Sequence, residues 1–257
     1  MMPGSHGSLP YAQVRMQARL GGRPAAPDLQ RLRAASDLAS CLQQVRSSPW
    51  SRHAGRLAPG MSAHELDRRL RSEWRATVDE VARWLPREWQ ATLRWLDWLP
   101  WLPALQKLAR GGRASGWMRD DPVLGRIVAV TGAPATGGGA ASTELQPLLV
   151  AMSARGDVTA AWLAHWRRLW PAGGATRRGL ESIIVAVRRA AAALAASDTA
   201  TATSDALDAL RATLLRSFRR HPLAPEAAVA YLGLEALDLL ELRGAVTRRA
   251  ALSAEAT

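Results

Sequence analysis

Cysteine, lysine, phenylalanine and tyrosine are nearly missing from this chain. Cys41 is the single cysteine among 257 residues, so an internal disulfide is excluded and no second thiol can complete a metal site. One cysteine on an apolar helical position is consistent with a reducing compartment. Lysine is as scarce: Lys107 stands alone, and the other 33 of the 34 basic residues are arginine. No window approaches the roughly 20 mostly apolar residues of a spanning helix, so an integral membrane segment is not expected. MMPGSHGSLP has no charged stretch followed by an apolar core, so neither a signal peptide nor secretion is expected.

What is plentiful is arginine, alanine and tryptophan. The net charge of +12 favours anionic partners such as nucleic acid, lipid headgroups or acidic protein faces. A GC-rich coding bias accounts for the same arginines, because they are spread along most helical segments instead of forming one block. Aromatic usage is skewed to 11 Trp against one Phe and two Tyr. The length suffices to bury a substantial core without staples.

Nearly every periodic segment has helical spacing, which predicts an all-α fold. Ser62 to Leu85 is the strongest, with Leu66, Leu70, Trp74, Val78, Val81 and Leu85 recurring every three or four residues. Ser62 and Glu65 form a capping box at its start, and Pro86 ends it and opens the next helix. Leu29, Leu32, Ala35, Leu38, Leu42 and Val45 form a second stripe entered through Pro27-Asp28. Further helices are expected from about Asp121 to Val130, Thr143 to Arg155, Asp157 to Trp170, Arg177 to Ala196, Ser204 to Arg220 and Pro225 to Ala251. TGAPATGGGAAS, Thr131 to Ser142, has a linker's composition. Along the chain this gives three helical units: 1–112 with a kinked Trp-rich helix, 113–176 with the Gly-rich linker, and 177–257.

RWLDWLPWLPALQKL, Arg94 to Leu108, is the most unusual stretch. Pro100 and Pro103 cannot donate to the preceding turn, so the helix should kink or restart there and run to Arg110, where Gly111-Gly112 ends it. Asp97 between two tryptophans argues against a strip lying on a lipid surface and for a bent core helix.

Enzyme chemistry finds little purchase. IVAVTGAPATGGG imitates a phosphate loop, but Gly138 stands where the lysine is needed and Gly139 where a hydroxyl must hold magnesium. His6, His53, His64, His165 and His221 never pair at i, i+4 and read as surface or cap residues. Asp120-Asp121 has no further carboxylates for a magnesium cluster, there is no serine elbow, and Cys41 lies on a core stripe. No catalytic, cofactor-binding or metal-binding residue is expected. The arginine pairs 68–69, 167–168, 177–178, 188–189, 219–220 and 248–249 lack any accompanying nucleic-acid motif and read as solvated helix faces. An Arg-rich helical adaptor for nucleic acid or another protein remains the alternative function; it predicts strongly salt-dependent binding.

APEAAVAYLGLEALDLLELRGAVTRRA, Ala224 to Ala250, resembles the closing helix of the C/d-type subunit of V/A-type rotary ATPases, with Tyr231-Leu232, Asp238 and Leu242-Arg243 at the matching positions. YAQVRMQARL, with Tyr11 and Arg15, is similar to the family's opening helix, and Asp97 in LDWLPWLPALQKLARG matches an aspartate beside an aromatic. The resemblance covers roughly residues 9–110 and 200–250; Pro100, Pro103 and the early Gly21-Gly22 break depart from the family pattern. It implies a bent, funnel-like all-helical subunit of two to three related units on the cytoplasmic face of the membrane. Peripheral there, it would join the central shaft to the proteolipid ring and pass torque during proton or sodium transport or ATP synthesis, with no active site or cofactor of its own. The named residues would then serve structure or interfaces.

Overall fold

The computed structural model describes residues 7–131, 141–171 and 173–255. Every regular element among them is helical: α1 (Leu9–Gly21), α2 (Ala26–Ala34), α3 (Leu38–Arg46), α4 (Ser51–Ala54), α5 (Ala63–Trp84), α6 (Arg87–Arg94), a 3-10 segment (Trp95–Trp101), α7 (Leu102–Ala109), α8 (Gly116–Asp120), α9 (Leu124–Thr131), α10 (Ala141–Ser153), α11 (Val158–Arg168), α12 (Gly174–Ala196), α13 (Ala200–Arg220) and α14 (Pro225–Glu255). The all-α class is therefore established. Residues 132–140, which hold most of the Gly-rich linker, lie outside the described residues. The β-branched run before them is helical, in α9, and not the strand a phosphate loop requires.

The helices group into two compact units, Met1–Arg94 with Pro171–Thr257, and Trp95–Trp170. This differs from a division at 112 and 176 along the chain, because the last helix packs on the first ones. In the first unit α14 lies against α1, α2, α3, α5, α12 and α13. Surrounded on so many sides, it is apolar almost all round, as a central helix must be: Ala227, Tyr231, Leu232, Leu234, Leu242 and Val246 are buried.

The α5 cap is where the sequence placed it, whereas α12 and α13 begin earlier than expected, at Gly174 and at Ala200 behind the Thr199 cap. At the start of α5, Ser62 Oγ accepts from the Glu65 N–H at 3.3 Å, and Glu65 Oε2 accepts from the Ser62 N–H at 2.9 Å. Its stripe Leu66, Leu70, Trp74, Val78, Val81 and Leu85 is buried throughout. The 29–45 stripe is not one helix, however. Ala35 turns extended (ψ 133°) and Asp37 caps a new helix by accepting from the Ser40 N–H at 2.8 Å. The side-chain oxygen of Asp37 serves the backbone in a way no continuous helix allows.

The second unit begins at the tryptophans. Pro100 falls inside a 3-10 segment, and α7 restarts at Leu102 with Pro103 in its first turn, where a missing N–H costs nothing. Reciprocal bonds lock this segment to α11: the Trp95 indole donates to the Trp162 carbonyl at 3.1 Å, and the Trp162 indole to the Trp95 carbonyl at 3.2 Å. Trp162, Trp166 and Trp170 continue as a stacked and edge-on series. The indoles supply both apolar area and the buried donors that Phe lacks. α7 ends in a Schellman motif, with Gly112 N–H bonded to the Lys107 carbonyl at 2.9 Å, Gly111 N–H to Leu108 at 2.9 Å, and Gly111 at φ 80°.

Candidate functional site: paired charges along the closing helix

A helix buried on all sides should carry no unpaired charge, yet α14 buries Glu235 and Asp238 within an otherwise leucine-rich stretch. Asp238 is the hub. Arg23, from the segment after α1, donates through Nε to Oδ2 and through Nη2 to Oδ1, both at 2.7 Å. Arg211 of α13 donates to the same Oδ1 at 2.6 Å, and the Trp50 indole takes the Asp238 carbonyl at 3.1 Å. One carboxylate thus fixes α13, α14 and the start of the chain, across 215 residues of sequence.

One turn earlier lies a second acid. Glu235 Oε2 accepts from Arg52 Nη2 at 2.5 Å, while His53 Nε2 stands 3.8 Å away and accepts from Arg52 Nε at 3.0 Å. Burial alone would raise the Glu235 carboxyl, but the His53 imidazole, the Arg52 guanidinium and the Tyr231 hydroxyl outweigh it and hold it at about 2. Burial, and then the neighbouring Glu235 carboxylate, push the Tyr231 hydroxyl well above its ordinary value. Glu235 is therefore ionised and Tyr231 neutral at neutral pH.

Two more arginines of α14 complete the row. Arg243 reaches Asp67 of α5, Nε to Oδ1 at 2.5 Å, and Asp67 is also paired with Arg71 one turn on. Arg249 is buried and spends its guanidinium on backbone oxygens: Leu32 at 3.0 Å, Arg33 at 2.8 Å and Ala35 at 2.7 Å. Those are the carbonyls left open where α2 ends, so Arg249 acts as a C-cap supplied from another helix. The pair 248–249 is accordingly a solvated face only at Arg248.

The residues named by resemblance divide as follows. Tyr231, Asp238, Leu242 and Arg243 all lie on α14, three of them buried and Arg243 ion-paired at the rim. Tyr11 and Arg15 lie in the same unit on α1, where Arg15 sits 5.8 Å over the Tyr11 ring and 5.1 Å over Trp84. Arg19 stacks on Trp84 at 4.8 Å and bonds Glu80 at 2.7 Å, tying α1 to α5. Asp97 belongs to the 3-10 segment of the second unit.

Sequence reasoning missed Arg23, Arg52, His53, Arg211, Glu235 and Arg249. His53 is buried against Arg52 and Glu235 and is not a surface residue, because the short α4 turns it inward. A usable signal existed for Glu235: an acid set among Tyr231, Leu232, Leu234 and Leu239 on a mostly apolar helix has to be paired. Among the described residues no group of three or more His, Cys, Asp or Glu could hold a metal, and no helix is long and apolar enough to cross a membrane. No protein-family model, curated protein or solved structure matches the chain.

Proposed function

We propose that this chain is a non-catalytic connector subunit of a V/A-type rotary ATPase or ATP synthase, joining the central shaft to the membrane proteolipid ring. It would sit peripherally on the cytoplasmic side and pass torque that drives, or is driven by, proton or sodium movement. One observation carries the reading. The two stretches that resemble the family, at opposite ends of the sequence, pack together as α1 on α14 and are bound by the Arg23–Asp238 pair. The positions that resemble the family on α14 face other helices and are spent on holding them, as expected of a part whose job is mechanical. Torque transfer needs a body that does not shear, and close-packed helices cross-linked by buried ion pairs meet that need.

The test is recovery from membranes. The full chain, tagged and expressed in its own host, should co-purify with proteolipid and shaft subunits after detergent extraction. Recovery wholly soluble and alone would refute the proposal. An ion-pair variant that stays folded but leaves the membrane fraction would separate assembly from folding.

A further inference from the structure

The second unit carries a cleft of about 480 Å³ beside the end of α7. That size lies within the range of small-ligand sites. Its floor is Leu102 and Pro103, and its polar wall is Lys107, Arg110 and Thr159. No carboxylate lines it. Gln106 also reaches the wall, but its amide is already spent, donating to the Gly156 carbonyl at 3.2 Å and accepting from the Val158 N–H at 2.8 Å. Those two bonds hold the start of α11, and hence Thr159, against α7.

Lys107 is the chain's only lysine, and its stem lies against Gly112. A side chain at Gly112 would come within 2.7 Å of the Lys107 Cγ, so the glycine is what lets the lysine lie across the turn. The ammonium is then steadied by Ser115 Oγ at 3.3 Å. Arg110, the C-cap of α7, comes from the next turn of the same helix end. Two positive side chains and a hydroxyl lining one cleft with Leu102 and Pro103 match a dianionic phosphate better than a single carboxylate, because a phosphate monoester carries close to two negative charges. Lysine supplies a point charge to it and arginine a two-pronged donor.

We infer that this cleft binds a phosphate group carried on a small apolar or uncharged body, either a free phosphate-bearing molecule or a phospholipid headgroup. The inference does not rest on the rotary reading, and its test uses the isolated full-length chain, so either can fail without the other.

Lysine-selective ¹⁵N labelling gives one backbone resonance, that of Lys107. Inorganic phosphate should move it along a saturating curve that chloride at equal ionic strength does not reproduce. R110Q and T159V should each weaken that curve, R110Q by about tenfold, and K107Q should do the same by calorimetry. R220Q, in the other unit, should not. If inorganic phosphate is silent, sedimentation with phosphatidate-containing vesicles but not phosphatidylcholine vesicles, lost in K107Q/R110Q, assigns the headgroup source. A linear response shared with chloride, saturation unchanged in all three cleft variants, binding only to a glutamate-rich peptide, or no response to either phosphate source overturns the inference. These side chains are exposed at the cleft, so thermal melts should show the variants folded.

Discussion

Replacing Asp238 by Asn tests the central pairing directly. The change is nearly isosteric, so it leaves no cavity and isolates the charge. Asp238 is 2% exposed and accepts three charge-assisted hydrogen bonds at 2.6–2.7 Å from two arginines. The amide keeps one acceptor oxygen and presents an NH₂ where a carboxylate oxygen faced a guanidinium. Arg23 and Arg211, whose side chains are only 10% and 19% exposed, are left facing one another with only the exposed Asp208 carboxylate, 3.9 Å from Arg211 Nε, as counter-charge. Removing one partner of such a buried set costs about 3–5 kcal/mol, a large share of the roughly 5–15 kcal/mol that holds a typical domain. Urea unfolding followed by tryptophan fluorescence and circular dichroism measures it. R83Q, which breaks only the exposed pair with Asp79, is the control and should cost no more than about 1 kcal/mol. High salt should shrink the R83Q effect and leave the D238N effect nearly intact. The triple change D238L/R23M/R211M should regain most of the loss, because an apolar set avoids the desolvation that the charges incur. A D238N cost no larger than that of R83Q would refute the argument that this carboxylate organises the unit.

Three further outcomes are expected. Glu235 has its folded value lowered to about 2 from 4.5, so its contribution is present above pH 4.5 and is lost as the pH falls towards 2. E235Q should therefore be less stable than the parent by on the order of 3 kcal/mol near neutrality, with the two unfolding curves converging by about pH 2. R249M should uncap the end of α2, costing about 2–4 kcal/mol and raising amide exchange in α2 and the 35–37 turn before it does so in α5. G179A should cost about 1–3 kcal/mol by overpacking, since the new methyl would lie 2.7 Å from Glu226 Cγ and Oε1; E226A in the same background should relieve it, as read by thermal melts.

The elements of this fold were largely legible because their signals are local. The α5 capping box and stripe, the restart after Pro100, the Gly111-Gly112 stop and the long closing helix all follow from residues within a few positions of one another. The break at 35–37 was obscured for the same reason: the apolar period runs through it unbroken, and only the Asp37 side chain bonding to Ser40 overrides the period. What decides that break is also distant, since Arg249 takes the carbonyls of Leu32, Arg33 and Ala35 from over 200 residues away.

Pairing was the part that local reasoning had no means to reach. With 33 arginines of one chemical kind, nothing in the sequence separates Arg23 and Arg211, which meet Asp238, from arginines that meet only solvent. The acids are more informative than the bases. An aspartate or glutamate within a stretch that is apolar on every helical face has no route to water, so it must be neutral, metal-bound or matched. In LGLEALDLLEL the two buried acids, Glu235 and Asp238, are matched by arginines drawn from earlier helices or loops, and Glu241 pairs with Arg33 of α2. The abundance of arginine is then partly structural: several of the cations are spent on ion pairs and caps inside the first unit. Lys107 and Arg110 are among the cations still facing solvent, at a cleft of ligand size.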